Sequence, residues 1–252
     1  MTSRSLTQIR SDSRNALPGN YTLCFAAIAI MLTVEVALTQ LSFLLPLPST
    51  GGVVSVLLDI LCSIPATLVM TMLQTGFIFL TLNIARYSHP TINDLFLAFR
   101  YDPLKAVGLC LVLGVIDIIC MLPVSYALTN VLLALMNLTQ GGTLAALNRS
   151  FGYLVLAGLI TIVLRVLISY PFSQALMLYI DHQEYSGTQC LTNSARLMRG
   201  NIFRYFRLEI SFIGYLLLSC ISFGIGLIWV IPYINVARAN FYMDLTGTYK
   251  PY

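Results

Sequence analysis

Apolar residues dominate five long stretches of this chain, 21–45, 53–85, 104–124, 151–180 and 203–245, and each is long enough to cross a membrane. A helix rises ~1.5 Å per residue, so about 20 residues cover the ~30 Å of bilayer hydrocarbon. The 252 residues are 58% hydrophobic and 10% charged, against roughly 25% charged in a soluble domain. A water-soluble fold of this length lacks the polar surface it would need. Backbone groups inside a bilayer have no water to bond, which selects helices for runs of this length. The expectation is an all-α polytopic transmembrane bundle of about six spans with short interfacial helices.

Residues 21–45 read as the first span. As one helix, the 33 residues of 53–85 would be ~50 Å long, too long to cross straight. Pro65 offers a break, leaving 53–64 as a short outer half-helix and 65–85 as the second span. Residues 104–124 read as the third span and 151–180 as the fourth, with a kink expected at Pro171. The 203–245 stretch exceeds one crossing. Gly224-Ile-Gly226 supplies a turn between a fifth span, about 206–222, and a sixth, about 226–245. One uninterrupted span is the competing reading. Segments 3–17 and 188–199, ended by Pro18-Gly19 and Gly200-Asn201, read as cytoplasmic surface helices. The chain then divides into an N-terminal amphipathic helix (1–20), the bundle (21–245) and a C-terminal tail (246–252). The first apolar run exceeds the ~7–15 residues of a signal-peptide core, so no cleaved signal is expected.

Basic residues set the orientation. With six spans and a cytoplasmic N-terminus, twelve of the fourteen Lys and Arg residues fall on the cytoplasmic side, as the positive-inside rule requires. Only Arg149 is left outside, and Arg165 lies within the bilayer. The partners expected are the lipid bilayer, with anionic lipids at the cytoplasmic face, and no nucleic acid. A protein partner or an oligomer stays open.

Four charged side chains interrupt the apolar runs: Glu35, Asp59, Asp117 and Arg165. A charge at a helix centre costs about 2.5–3.5 kcal/mol on insertion scales, so such residues face a bundle interior or a wet cavity. Helical spacing adds polar neighbours on the same faces: Thr39 and Ser42 beside Glu35, Ser55 and Ser63 beside Asp59, Thr161 and Ser169 beside Arg165. Two readings follow. Arg165 forms a dry ion pair with Asp117 or Glu35 that locks packing, or the four line a polar cavity that opens outward.

Motifs of covalent chemistry are lacking. His89 and Asp94 fit an H-x4-D spacing, but Thr91 or Asn93 more simply caps a helix beginning at Asp94. Three matches to the glycosylation sequon, at Asn20, Asn137 and Asn148, are read as chance. The cysteines have no CxxC spacing, and five lie in apolar runs where a thiol acts as a small hydrophobe. No metal, cofactor or catalytic residue is expected.

The last third reads Asn193-Ser-Ala-Arg-Leu-Met-Arg-Gly200, Phe206-Arg-Leu-Glu-Ile-Ser-Phe-Ile-Gly214, Gly224-Ile-Gly226, Pro232-Tyr233 and Phe241-Tyr242. It resembles the bacterial integral-membrane family catalogued as domain of unknown function 975. Asp94-Leu-Phe96 with Phe99, and Gly19-Asn20-Tyr21 after an N-terminal helix, resemble it too. Tyr215 stands where the family often carries Trp. The resemblance implies a multi-pass protein of the bacterial plasma membrane and no assigned activity. Physically, Gly214 reads as a site of close helix approach. Gly224 and Gly226 read as a tight turn with positive φ, and Pro232 as a kink in the sixth span. The leading expectation is a non-enzymatic envelope helper or interaction subunit. A transporter or channel for a small solute, ion or lipid, built around Arg165, is the alternative. A membrane-embedded lipid-modifying or proteolytic enzyme is third.

Overall fold

The computed structural model describes residues 4–44, 53–100, 102–138 and 143–248, and the side chains of these except in 41–64. The first helix, α1 (Leu6–Ala16), opens with a capping box: Ser5 Oγ accepts from Gln8 N at 3.3 Å, and Gln8 Oε1 accepts from Ser5 N at 3.1 Å. Gly19, at φ +88°, turns the chain into α2 (Tyr21–Leu44). Next come α3 (Val53–Ala85), a 3-10 turn (Ile92–Phe96), α4 (Leu97–Arg100), α5 (Pro103–Leu138) and α6 (Leu144–Leu164). A π-helical turn (Arg165–Ser169) and a 3-10 turn (Tyr170–Phe172) lead into α7 (Ala175–Asp181) and α8 (Gly187–Met198). The chain closes with α9 (Ile202–Ile210), α10 (Ile213–Ile221) and α11 (Leu227–Thr246). No strand forms among the described residues.

Four helical stretches are long and apolar enough to cross a bilayer: Tyr21–Gln40, Pro65–Ala85, Pro103–Leu138 and Leu144–Asp181. They coincide with the first four expected spans, with three corrections. Pro65 does not divide α3, which runs through it. The expected third span and the loop after it are one 36-residue helix that includes Pro123, ~54 Å long. The expected fifth span is split at Ser211 and Phe212. There the Ser211 hydroxyl donates to Leu208 O at 2.6 Å, and Phe212 N–H bonds Glu209 O at 3.0 Å. A hydroxyl competing for helix carbonyls and a tightened last turn end α9. The nine residues of α10 then cover ~14 Å, about half a crossing.

The glycine and proline expectations separate. Gly224 turns α10 into α11 at φ +85°, and Gly200 follows α8 at φ +85°, both in the left-handed region open to glycine. Gly226 acts differently: its φ is −60°, and a Cβ there would meet Ser219 Oγ at 2.7 Å and Ser219 Cα at 3.0 Å. It is the point where α10 and α11 touch. Gly214 is no such point, since an added Cβ finds nothing within 4 Å. Pro232 is buried inside α11 without ending it.

The innermost element is α11. From Val230 to Met243 most of its side chains are buried, in contact with α1, α2, α3 and α10. A helix buried on nearly every side is a core helix. Tyr242 Oη donates to Asp181 Oδ2 at 2.9 Å, and Arg86 Nη2 reaches the same oxygen at 2.5 Å, tying α11, α7 and the end of α3 together. Helix α1 docks on α11 instead of lying free on the surface. Asn240 Nδ2 donates to the buried Ser13 hydroxyl at 2.9 Å. Arg204 Nη2 bonds both Arg4 O and Asp244 Oδ2 at 2.5 Å. Ile9 and Leu17 are fully buried in this contact, each contributing about 1.5–3 kcal/mol.

Gly76 marks the tightest packing on α3: an added Cβ would sit 1.8 Å from the carbonyl oxygen of Leu95. Backbone on both sides cannot yield cheaply, so Gly76→Ala should destabilise the protein by about 3 kcal/mol or more. Gly108→Ala, with nothing within 4 Å, should be neutral or stabilising. Thermal unfolding of the two purified variants checks this; equal midpoints would contradict it.

Candidate functional site: a polar seam at a broken helix

The fourth span loses its α-helical form at Arg165. Pro171 has no N–H and its ring crowds the carbonyl four residues back. The chain widens before it, so that Tyr170 N–H bonds Arg165 O, five residues away. Two backbone groups beyond the break are satisfied by one side chain from α8. Ser194 Oγ donates to Pro171 O at 2.8 Å and accepts from Gln174 N at 3.2 Å. Ser194 is fully buried. It opens the Ser194-to-Gly200 motif, whose place in the fold is thereby explained: it splices the interrupted span. Cys190, one turn earlier on α8, is also fully buried. Burial pushes its thiol up, which keeps it an inert packing group.

Two ion pairs flank the break. Arg165 Nη2 meets Asp117 Oδ1 of α5 at 2.7 Å. The contact is end-on, with a single hydrogen bond, and the side chains stay 39% and 48% exposed. Arg238 of α11 grips Glu209 of α9 with both ends, Nε to Oε1 at 2.8 Å and Nη2 to Oε2 at 3.0 Å. Tyr205, buried, stacks edge-on against Tyr170 with ring centres 5.0 Å apart.

Two cavities adjoin these pairs. One, of about 220 Å³, is lined by Arg165, Tyr170, Tyr205, Glu209, Asn235 and Arg238, among others. The second, of about 310 Å³, is lined by Thr71, Gln74, Thr75, Cys110, Gly114 and Asp117. They share Ile78, Ser169, Ser173 and Leu176 as a common wall. Of the two acids expected as partners for Arg165, the structure supplies Asp117, and each member of the pair borders a cavity. Such an arrangement can hold a polar solute, or relay charge, at the depth where the span is unwound.

The four intramembrane charges do not assemble as one constellation. Asp117 and Arg165 come together. Glu35 is exposed on α2, and no side chain among the described residues forms an ion pair with it. The Asp59 side chain lies outside the described residues. The Glu209–Arg238 pair was missed, because Arg238 read as part of the cytoplasmic basic collar. The signal was there: Asp181, Glu209 and Asp244 are acids embedded in that collar, and the structure pairs them with Arg86, Arg238 and Arg204. Tyr233 is buried, with Phe212 and Tyr215 edge-on at 5.1 and 5.7 Å, and donates to Arg10 O at 3.4 Å. It is a packing residue of the α1 contact. The Asp94 carboxylate accepts from Asn83 Nδ2 at 3.0 Å and from Thr91 N at 3.1 Å; it completes the cap of a turn with Thr91 at the N-cap, as expected, that begins at Ile92, two residues before the helix start expected at Asp94.

The family model described as "Protein of unknown function (DUF975)" matches residues 1–248. The chain belongs to that family. No curated protein and no solved structure matches it.

Removing one partner of the Arg165–Asp117 pair strands the other charge. Arg165→Leu should cost about 1–3 kcal/mol, below the ~3–5 kcal/mol of fully buried pairs because both partners are only partly buried. The Arg165→Leu/Asp117→Leu double variant should recover most of that loss. Unfolding midpoints in detergent check the order; a double variant worse than the single would refute it.

Proposed function

We propose that this DUF975 member is a multi-pass plasma-membrane protein with both termini in the cytoplasm, and that it binds and passes a small polar solute without covalent chemistry. The observation that carries the reading is the unwound fourth span at Arg165, flanked by two adjoining polar cavities. Non-helical backbone at membrane depth is tolerated only where protein buries it or a water-filled cavity adjoins it. Interrupted helices of this kind line the midplane sites of many transporters. Four apolar helices of sufficient length and the basic collar support the membrane placement and the orientation.

The role of helper or interaction subunit, foremost in the sequence reading, keeps one specific support. Helix α5 outlasts the ~30 Å hydrocarbon, and its far end exposes Leu132, Leu133, Leu135 and Met136. A tip of this composition also suits a partner helix.

Two measurements bear on the main reading. Single cysteines at Ser11 and Arg199, both exposed, should react with impermeant maleimide only from the cytoplasmic side, and one at Asn148 only from outside; any reversal contradicts the orientation. Proteoliposomes offered labelled anions, cations and zwitterions should exchange at least one of them, and Asp117→Asn/Arg165→Gln should lower that exchange about tenfold or more. Folded wild-type protein that moves none of them would defeat the solute reading and favour the interaction subunit.

A further inference from the structure

The charges bordering the two cavities are not distributed evenly. The smaller cavity is lined by Arg165, Arg238 and Glu209. Glu209 is fully engaged by the two-point contact with Arg238, so this lobe carries one surplus positive charge, that of Arg165. The larger cavity is lined by Asp117 and no other charged side chain among the described residues, with Thr71, Gln74, Thr75 and Ser173 around it. It carries one negative charge in a setting of hydroxyls and an amide.

The Arg165–Asp117 contact sits where the lobes adjoin. Because it is end-on, Nη2 to Oδ1, it uses one oxygen of the carboxylate and one nitrogen of the guanidinium. A carboxylate accepts at two oxygens and a guanidinium donates five N–H bonds. Each partner thus retains hydrogen-bonding capacity on the side away from the pair, and both stay partly exposed, at 48% and 39%. Because Arg165 and Asp117 already balance each other, a solute of one sign would leave a net charge within an apolar bundle. A solute carrying both signs meets both. The adjoining volumes of about 310 and 220 Å³ lie at the small end of ligand sites of roughly 300–1,000 Å³.

We propose that the polar seam recognises a small zwitterion, its cationic end hydrogen-bonded to Asp117 in the α3–α5 lobe and its anionic end to Arg165 in the α9–α11 lobe. The inference rests on the solute-binding reading above and adds the chemical class. An amino acid supplies this chemistry, and so does phosphoethanolamine, free or as the headgroup of phosphatidylethanolamine. The unwound turn at 165–169 serves the same end, since it sets the Arg165 head between α5 and α11.

The test is the unfolding midpoint of the full chain in detergent, titrated with L-alanine, β-alanine, phosphoethanolamine, choline, succinate and inorganic phosphate. At least one zwitterion should raise the midpoint saturably, and at concentrations about tenfold or more below any effect of choline, succinate or phosphate. Asp117→Asn is isosteric and Arg165→Gln keeps a polar, hydrogen-bonding head on a shorter stem, so each removes one charge and leaves a polar side chain. Each should weaken the zwitterion about ten- to hundredfold, the loss of one charge-assisted hydrogen bond. A shift seen in nanodiscs of phosphatidylethanolamine over phosphatidylglycerol, and absent with free zwitterions, assigns the same chemistry to a lipid headgroup. Choline or succinate acting as well as the zwitterions overturns the inference and leaves solute binding standing. No shift with any probe or lipid overturns it too. In that case the flux measurement on the same preparation tells whether solute passage falls with it.

Discussion

A backbone group freed inside a bilayer has to be satisfied by the protein itself, and three prolines show how strongly that condition shapes this fold. Pro65 and Pro123 sit inside unbroken helices, while the chain unwinds around Pro171. Proline in a helix interior costs about 3 kcal/mol. Opening the helix in lipid would expose several N–H and C=O groups, each costing several kcal/mol. Continuing is the cheaper course unless partners stand ready. At Pro171 they do: the Ser194 hydroxyl serves the Pro171 carbonyl and the Gln174 N–H, both just past the unwound turn. That one hydroxyl also fixes α8 against the interrupted span beside the seam.

The same contrast explains what was legible in the sequence. Apolar length located the four helices long enough to cross a bilayer. The Gly19 and Gly224 turns were visible as local chemistry, while the Ser5 cap emerged only with the structure. Proline was over-read at position 65, because the rule for soluble helices omits the penalty of exposing backbone to lipid. At 123 it went unnoticed that α5 continues. Arg165 and Asp117 stood out because each is a lone charge among apolar neighbours, and their partnership follows from the same cost. Glu209 and Arg238 did not stand out, since both lie within a stretch already rich in arginine. Only the antiparallel run of α9 and α10 along α11 brings them level. Gly214 was over-read for a related reason: glycine inside an apolar helix marks a contact only when another helix is there to make it.

Electrostatically the interior is organised by how completely each pair is closed. The Glu209–Arg238 pair is joined at two points and acts as a strut between α9 and α11. The Arg165–Asp117 pair leaves each partner a free side, and so leaves the centre of the bundle open to a third group. Closure of one pair and incompleteness of the other, on either side of one unwound turn, separate the part of the bundle that holds shape from the part that can meet a ligand.

The docking of α1 on α11 carries a consequence for biogenesis. Ser13 bonds Asn240, and Arg4 bonds Asp244 through its backbone N–H at 3.2 Å, contacts that join segments more than two hundred residues apart in the chain. The early helix emerges during synthesis long before its partner exists. Its buried face, with Ile9, Ser13 and Leu17, stays uncovered until α11 has been made. Seating α1 is therefore a seal that only a completely synthesised chain can close, and an unseated α1 leaves its apolar face as a sign of incomplete assembly.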